Sequence, residues 1–152
     1  MRPVLSLHFG SEFFSGSVTA CQGVHIAEVI RLVGAMQPEL RWYVADVRTT
    51  GCKLPFESTS FPLYIGDTDA LINMTLCVEQ FESGVFAAVP HSVAHPCFRN
   101  GGLWTEDDDL ADLGDAVVEI RAFDTTYVSV ASGDAELLDV IKDAIAAGLR
   151  GQ

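Results

Sequence analysis

Two imidazoles and a thiol lie close together in His91-Ser92-Val93-Ala94-His95-Pro96-Cys97. These are ligand types that zinc prefers, and here a small enzyme or a metal- or ligand-binding domain would place its chemistry. His91 and His95 share a helical face only if the segment is helical, and Pro90 and Pro96 limit any helix there to one turn. A further ligand would have to come from His8, His25, Cys52 or Cys77 elsewhere in the fold, so the competing reading is an ordinary polar loop. Cys21 and His25, four residues apart, could pair a thiol with an imidazole that lowers its pKa for nucleophilic work. No orienting acid stands near them, and cysteine is among the most buried residue types, so core packing accounts for both. Asp67-Thr68-Asp69 could present a carboxylate pair to a metal, but helix capping explains the same residues without a ligand.

A different chemistry is offered by Glu106, Asp107, Asp108, Asp109, Asp112 and Asp115, six carboxylates in ten residues beside Leu103 and Trp104. Such a run is either a solvated face or an electrostatic patch that speeds encounter with a basic partner, with Trp104 as anchor. It lacks the glycine and the terminal Glu of an EF-hand calcium loop. No G-x-x-x-x-G-K-[ST], G-x-G-x-x-G, G-x-S-x-G or H-E-x-x-H pattern occurs, which removes the main support for the common nucleotide-binding and hydrolase classes.

The elements that must position these residues follow from periodicity. Val4 to Phe9 predicts a strand, followed by a loop over Gly10 to Gly16 under which Phe13 and Phe14 tuck. Ile26, Ile30 and Val33 recur at helical steps and predict a helix over Val24 to Met36, ended near Gly34 and Pro38. Arg41 to Arg48 predicts a strand with Trp42, Val44 and Asp46 on one side and Tyr43, Ala45 and Val47 on the other. Thr49 to Pro62 reads as a loop, Leu63 to Ile65 as a short strand, and Asp67 as the cap of a helix running to about Phe81. Gly84 to Val89 is a short buried strand, His91 to Leu113 a long connection of the kind tied to function, and Ala116 to Phe123 and Thr126 to Ala131 two strands around Asp124-Thr125 or one strand with a bulge. Leu137, Leu138, Ile141, Ile145 and Leu149 form one stripe, predicting a helix over Asp134 to Leu149. The order specifies an α+β domain over residues 1–152, with a mostly antiparallel or mixed sheet of about five to six strands and three helices packed on it.

The net charge of −12 opposes nucleic acid and anionic lipid as partners and leaves a basic protein as the natural one. Residues 1–100 carry nine acids against six bases, while residues 101–152 carry twelve against three, so three quarters of the excess sits in the last third. Cys21, Cys52, Cys77 and Cys97 are widely spaced in a chain with 49% hydrophobic residues, so no disulfide framework is needed and a cytoplasmic location is expected. No signal-peptide core or apolar run of spanning length is present, so no membrane is expected as partner.

The stretch Asp115-Ala-Val-Val-Glu-Ile-Arg-Ala-Phe-Asp-Thr-Thr-Tyr-Val-Ser-Val, with the helix of Leu137 and Leu138 after it, resembles the end of small bacterial proteins of the kind that act as immunity proteins in polymorphic toxin systems. The resemblance covers the last quarter of the chain and carries over no functional residue. Size, charge asymmetry and the absence of catalytic motifs lead to the expectation of a non-enzymatic inhibitor of this immunity kind, without a cofactor, whose partner is a basic toxin, nuclease or nucleic-acid-binding protein. Trp104, Glu106, Asp107, Asp108, Asp109, Asp112 and Asp115 are then the expected contact surface. The alternative is the small enzyme or metal site at His91, His95 and Cys97. Association with further copies is a third expectation, marked by Phe13, Phe14, Phe56 and Phe61 if these are exposed.

Overall fold

A computed structural model describes residues 4–14, 19–51, 59–99, 102–107 and 112–150, the side chains of 149 and 150 excepted. The fold is α+β, as the element order predicts. Strands β1 (Leu5–Gly10), β2 (Leu40–Gly51), β3 (Leu63–Gly66), β4 (Val78–Pro90), β5 (Val118–Phe123) and β6 (Tyr127–Ser132) form one sheet. Its order is β1-β6-β5-β4-β2-β3, and every neighbouring pair is antiparallel. Helices α1 (Gly23–Met36), α2 (Thr68–Leu76) and α3 (Ala135–Arg150) complete the order.

All three helices seal the same face. Ile26, Val29, Ile30 and Val33 of α1, Leu71 of α2 and Leu137, Leu138, Ile141 and Ile145 of α3 bury against Phe9, Trp42, Val44, Phe86, Ile120 and Val130 of the strands. Asp67 caps α2 as expected, its Oδ1 accepting from Ala70 N at 2.8 Å, and Asp134 does the same for α3 through Leu137 N at 3.2 Å.

Three expectations need correction. α2 stops at Leu76 rather than near Phe81, and β4 begins at Val78 instead of Gly84. The reason is tertiary: β2 continues to Gly51, through residues expected to be loop, and pairs Thr49 with Phe81 and Gly51 with Val78. Pairing that buries Val78 and Phe81 outweighs a helical propensity worth only tenths of a kcal/mol per residue, roughly. The third correction concerns Asp46. Ala45 pairs with Val85 and Arg48 with Ser83, so β2 carries one extra residue there, and Asp46 takes φ 52°. That bulge puts Val47 with Trp42 and Val44 in the helix-covered core and turns the Asp46 carboxylate to the opposite face.

The opposite face is covered by a strap, described over residues 91–99, 102–107 and 112–117, where it holds no strand or long helix. Leu103, Leu113 and Ala116 of the strap bury against Ala45, Val85, Ala87, Val89 and Ala131, small side chains that let it lie close to the sheet. Gly114 is required where the strap turns: its φ is +62°, and a Cβ there would stand 2.4 Å from the Cys97 carbonyl oxygen.

Candidate functional site

β5 is apolar toward the helices but presents Glu119 and Arg121 to the strap, and both are buried. A buried carboxylate needs a cation, and the strap supplies one. Arg99 donates from Nε to Glu119 Oε2 at 3.0 Å and from Nη2 to Oε1, while its Nη1 reaches Asp107 Oδ2 at 2.5 Å. Burial pulls the Arg99 pKa down, but the hydrogen bonds and charge of Glu119, then Asp107, more than reverse this, so the guanidinium stays charged. Arg121 donates from Nη1 to the carbonyls of Thr105 (2.9 Å) and Asp107 (2.8 Å). Burial lowers its pKa, and its guanidinium lies 4.7 Å from the centre of the Phe123 ring.

Asp46 fastens the same part of the strap from β2. Its Oδ2 accepts from Thr105 N at 2.9 Å, and Thr105 Oγ1 in turn accepts from Gly84 N at 3.0 Å. Arg99, Thr105 and Asp107 are thereby tied to β2, β4 and β5 by buried and part-buried polar bonds.

Beside these anchors opens a cleft of about 520 Å³. Asp46 and Arg48 reach it from β2, Glu82 from β4, Glu106 and Asp107 from the strap, and Asp124 from the β5–β6 turn. Asp124 (φ 40°) and Thr125 (φ 63°) are both left-handed, the requirement of a type I′ turn, which Thr126 N closes on Phe123 O at 2.7 Å. Asp124 N also donates to Glu82 O at 2.9 Å, so backbone bonding sets two carboxylates at one wall. The ion pairs among the described residues are Arg31–Glu28, Arg99–Asp107 and Arg99–Glu119, so Arg48, Glu82, Glu106 and Asp124 belong to none of them. Trp104 stands at the cleft with 49% of its surface exposed.

The expected acidic surface is therefore divided. Trp104, Glu106 and Asp107 line the cleft, and Asp108 and Asp109 fall outside the described residues. Asp112 accepts from Gly114 N at 2.7 Å and faces a separate hollow beside Gln37 and Asp134, while Asp115 accepts from Cys97 N at 2.6 Å to hold the strap's own turn. Asp46, Glu82 and Asp124 join the cleft without having been singled out. An Asp inside the β-rich run Trp42 to Val47 was a signal, since strands are depleted in Asp; Glu82 and Asp124 left none.

His91, His95 and Cys97 are all exposed, and among the described residues no three His, Cys, Asp or Glu side chains converge to hold a metal ion. Cys21 and His25 are core residues. The Cys21 thiol donates to Tyr127 O at 3.1 Å, and burial pushes its pKa up to about 11. His25 stacks on Phe14 at 4.1 Å, accepts from Gln22 N at Nδ1, and is pushed by burial down to about 4. Phe14 is buried and Phe13 packs on Phe9, so neither marks a contact with another copy; Phe61 is 70% exposed, and Phe56 and Cys52 lie outside the described residues. Among the described residues no helix is long and apolar enough to cross a membrane.

The chain matches no protein-family model, and the searches of curated proteins and of solved structures gave no match.

Proposed function

We propose that this protein is a non-enzymatic inhibitor of the immunity type, which binds and neutralises a basic protein, a toxin or nuclease, through the acidic cleft. The observation that carries the reading is the convergence of five carboxylates, Asp46, Glu82, Glu106, Asp107 and Asp124, around a single Arg48 beside a half-exposed tryptophan. A net charge of −12 extends the same field over the molecule and steers a basic surface toward it while repelling nucleic acid. An aromatic anchor within a ring of charge is the usual composition of an energetically dominant contact.

The test is stoichiometric neutralisation. A basic nuclease or toxin captured by the intact chain at low salt, and held at moderate salt, should lose its activity at one equivalent of added protein. Glu82→Lys with Glu106→Lys, both exposed and outside the ion pairs, should slow association about tenfold or more and flatten its dependence on salt. Association unchanged by the double reversal would remove the cleft as the contact, and a captured protein that stays fully active would remove the inhibitor reading.

A further inference from the structure

We infer that the cleft is a receptor for one guanidinium group, so that the partner presents an arginine side chain to it; this rests on the reading above and gives the ligand its chemistry. The first observation is Asp46. It is only 8% exposed and lines the cleft, yet among the described residues only its Oδ2 has a partner, the amide of Thr105. The other oxygen is not among the buried unpartnered atoms, so it is open to the cleft and can accept from a donor brought there. Asp107 is more exposed: its Oδ2 accepts from Arg99 Nη1 and Trp104 N, and its Oδ1 has no partner among the described residues.

The second observation is spacing. No three acidic, His or Cys side chains among the described residues lie close enough to share a bare metal ion, although five carboxylates border the same cavity. A cation that bridges them must have extent. A guanidinium carries five N–H donors spread across a plane, whereas an ammonium is a compact point charge. The cavity, about 520 Å³, admits a whole side chain.

The third observation is aromatic. One face of Phe123 is stacked on Tyr127 at 4.5 Å and its ring also carries the Arg121 guanidinium, so Phe123 is spoken for inside the protein. Trp104 has no ring partner among the described residues and is half exposed at the rim. Indole is the best of the aromatic surfaces for a stacked guanidinium. The protein already grips a guanidinium with two carboxylates next door, where Arg99 spans Glu119 and Asp107. The cleft offers the same grammar to a guest, with Arg48 as the like charge that the guest must displace or tolerate.

The experiment titrates the full chain with N-acetyl-arginine amide, N-acetyl-lysine amide and N-acetyl-citrulline amide, following the Trp104 indole N–H and the Asp46 and Thr105 amides by NMR. The arginine compound should shift all three saturably, the lysine compound should bind at least about tenfold more weakly, and the uncharged citrulline compound should leave them unmoved. Trp104→Ala and Asp46→Asn should each weaken arginine about tenfold, and Arg48→Ala should strengthen it. The asparagine keeps an acceptor for Thr105 N, and should Asp46→Asn not fold, the exposed Trp104→Ala carries the test alone. Equal response to arginine and lysine, or shifts that bypass Trp104, would overturn the inference. Neutralisation of a basic partner by a chain without arginine selectivity sinks this inference and spares the parent reading; arginine selectivity in a chain that neutralises nothing does the reverse.

Discussion

The two faces of the sheet are built from the same six strands and sealed in opposite ways. One carries Trp42, Phe86, Ile120 and Val130 beneath three amphipathic helices, and its stability is that of close-packed apolar volume. The other carries Glu119, Arg121, Asp46 and a floor of alanines beneath an irregular strap, and its stability depends on each buried charge finding its counterpart. The difference shows in what is left over. Every buried side-chain polar atom without a partner among the described residues, Arg41 Nε and Nη2, Arg121 Nε and Ser129 Oγ, belongs to a residue alternating onto the strap-covered face. The acidic cleft opens at the edge of this face.

The sharpest way to break this comparison is to leave a charge alone. Arg99→Met strands Glu119, which is 1% exposed, and should cost roughly 3–5 kcal/mol in denaturant unfolding. Arg99→Met combined with Glu119→Leu should recover much of that loss. A single variant that costs less than about 1 kcal/mol would mean that water already reaches the pair and that the strap is not fastened there. On the helix-covered face the corresponding change is Ile141→Ala, which opens a cavity in a fully buried position and should cost about 2–5 kcal/mol. No second substitution elsewhere should rescue it, because packing has no single counterpart. If a partner mutation did restore it, the two faces would not differ in kind.

The smallest effect vanishes at neutral pH. His25 titrates at about 4 in the folded protein against an ordinary value of 6.5, so as pH falls the unfolded chain takes up its proton first. Its contribution to stability is complete above pH 6.5 and declines between 6.5 and 4. His25→Asn, which can still accept from Gln22 N, should flatten the fall of unfolding free energy across that window relative to the parent chain. An identical slope in both would show that the imidazole is not held neutral by its burial against Phe14.

Much of the fold was legible because it depends on local repetition. The α1 and α3 stripes and the cap at Asp67 are properties of neighbouring residues and were placed within a few positions, and of the two readings of Asp124-Thr125, turn or bulge, the structure has the turn. The junction of α2 and β4 was misplaced because Cys77 to Phe81 has no decisive period of its own; Thr49 to Gly51, far away in sequence, impose the strand. Of the site, the run through Trp104, Glu106 and Asp107 was visible as charge density, but charge density does not distinguish Asp107, which is tied to Arg99, from Glu106, which is in no ion pair among the described residues.

Sequence by itself determined the class of the fold, the existence of its three helices and its acidic balance, because periodicity, capping and net charge are sums over near neighbours. Only the tertiary structure decided that Asp46, Glu82, Glu106, Asp107 and Asp124 meet in one cleft. A single extra residue in β2 decides it for Asp46, because strand side chains alternate with period two and one insertion sends a carboxylate to the other face. No composition or spacing along the chain carries that information, since the pairing of β2 with β4 that defines the bulge joins residues about 40 positions apart.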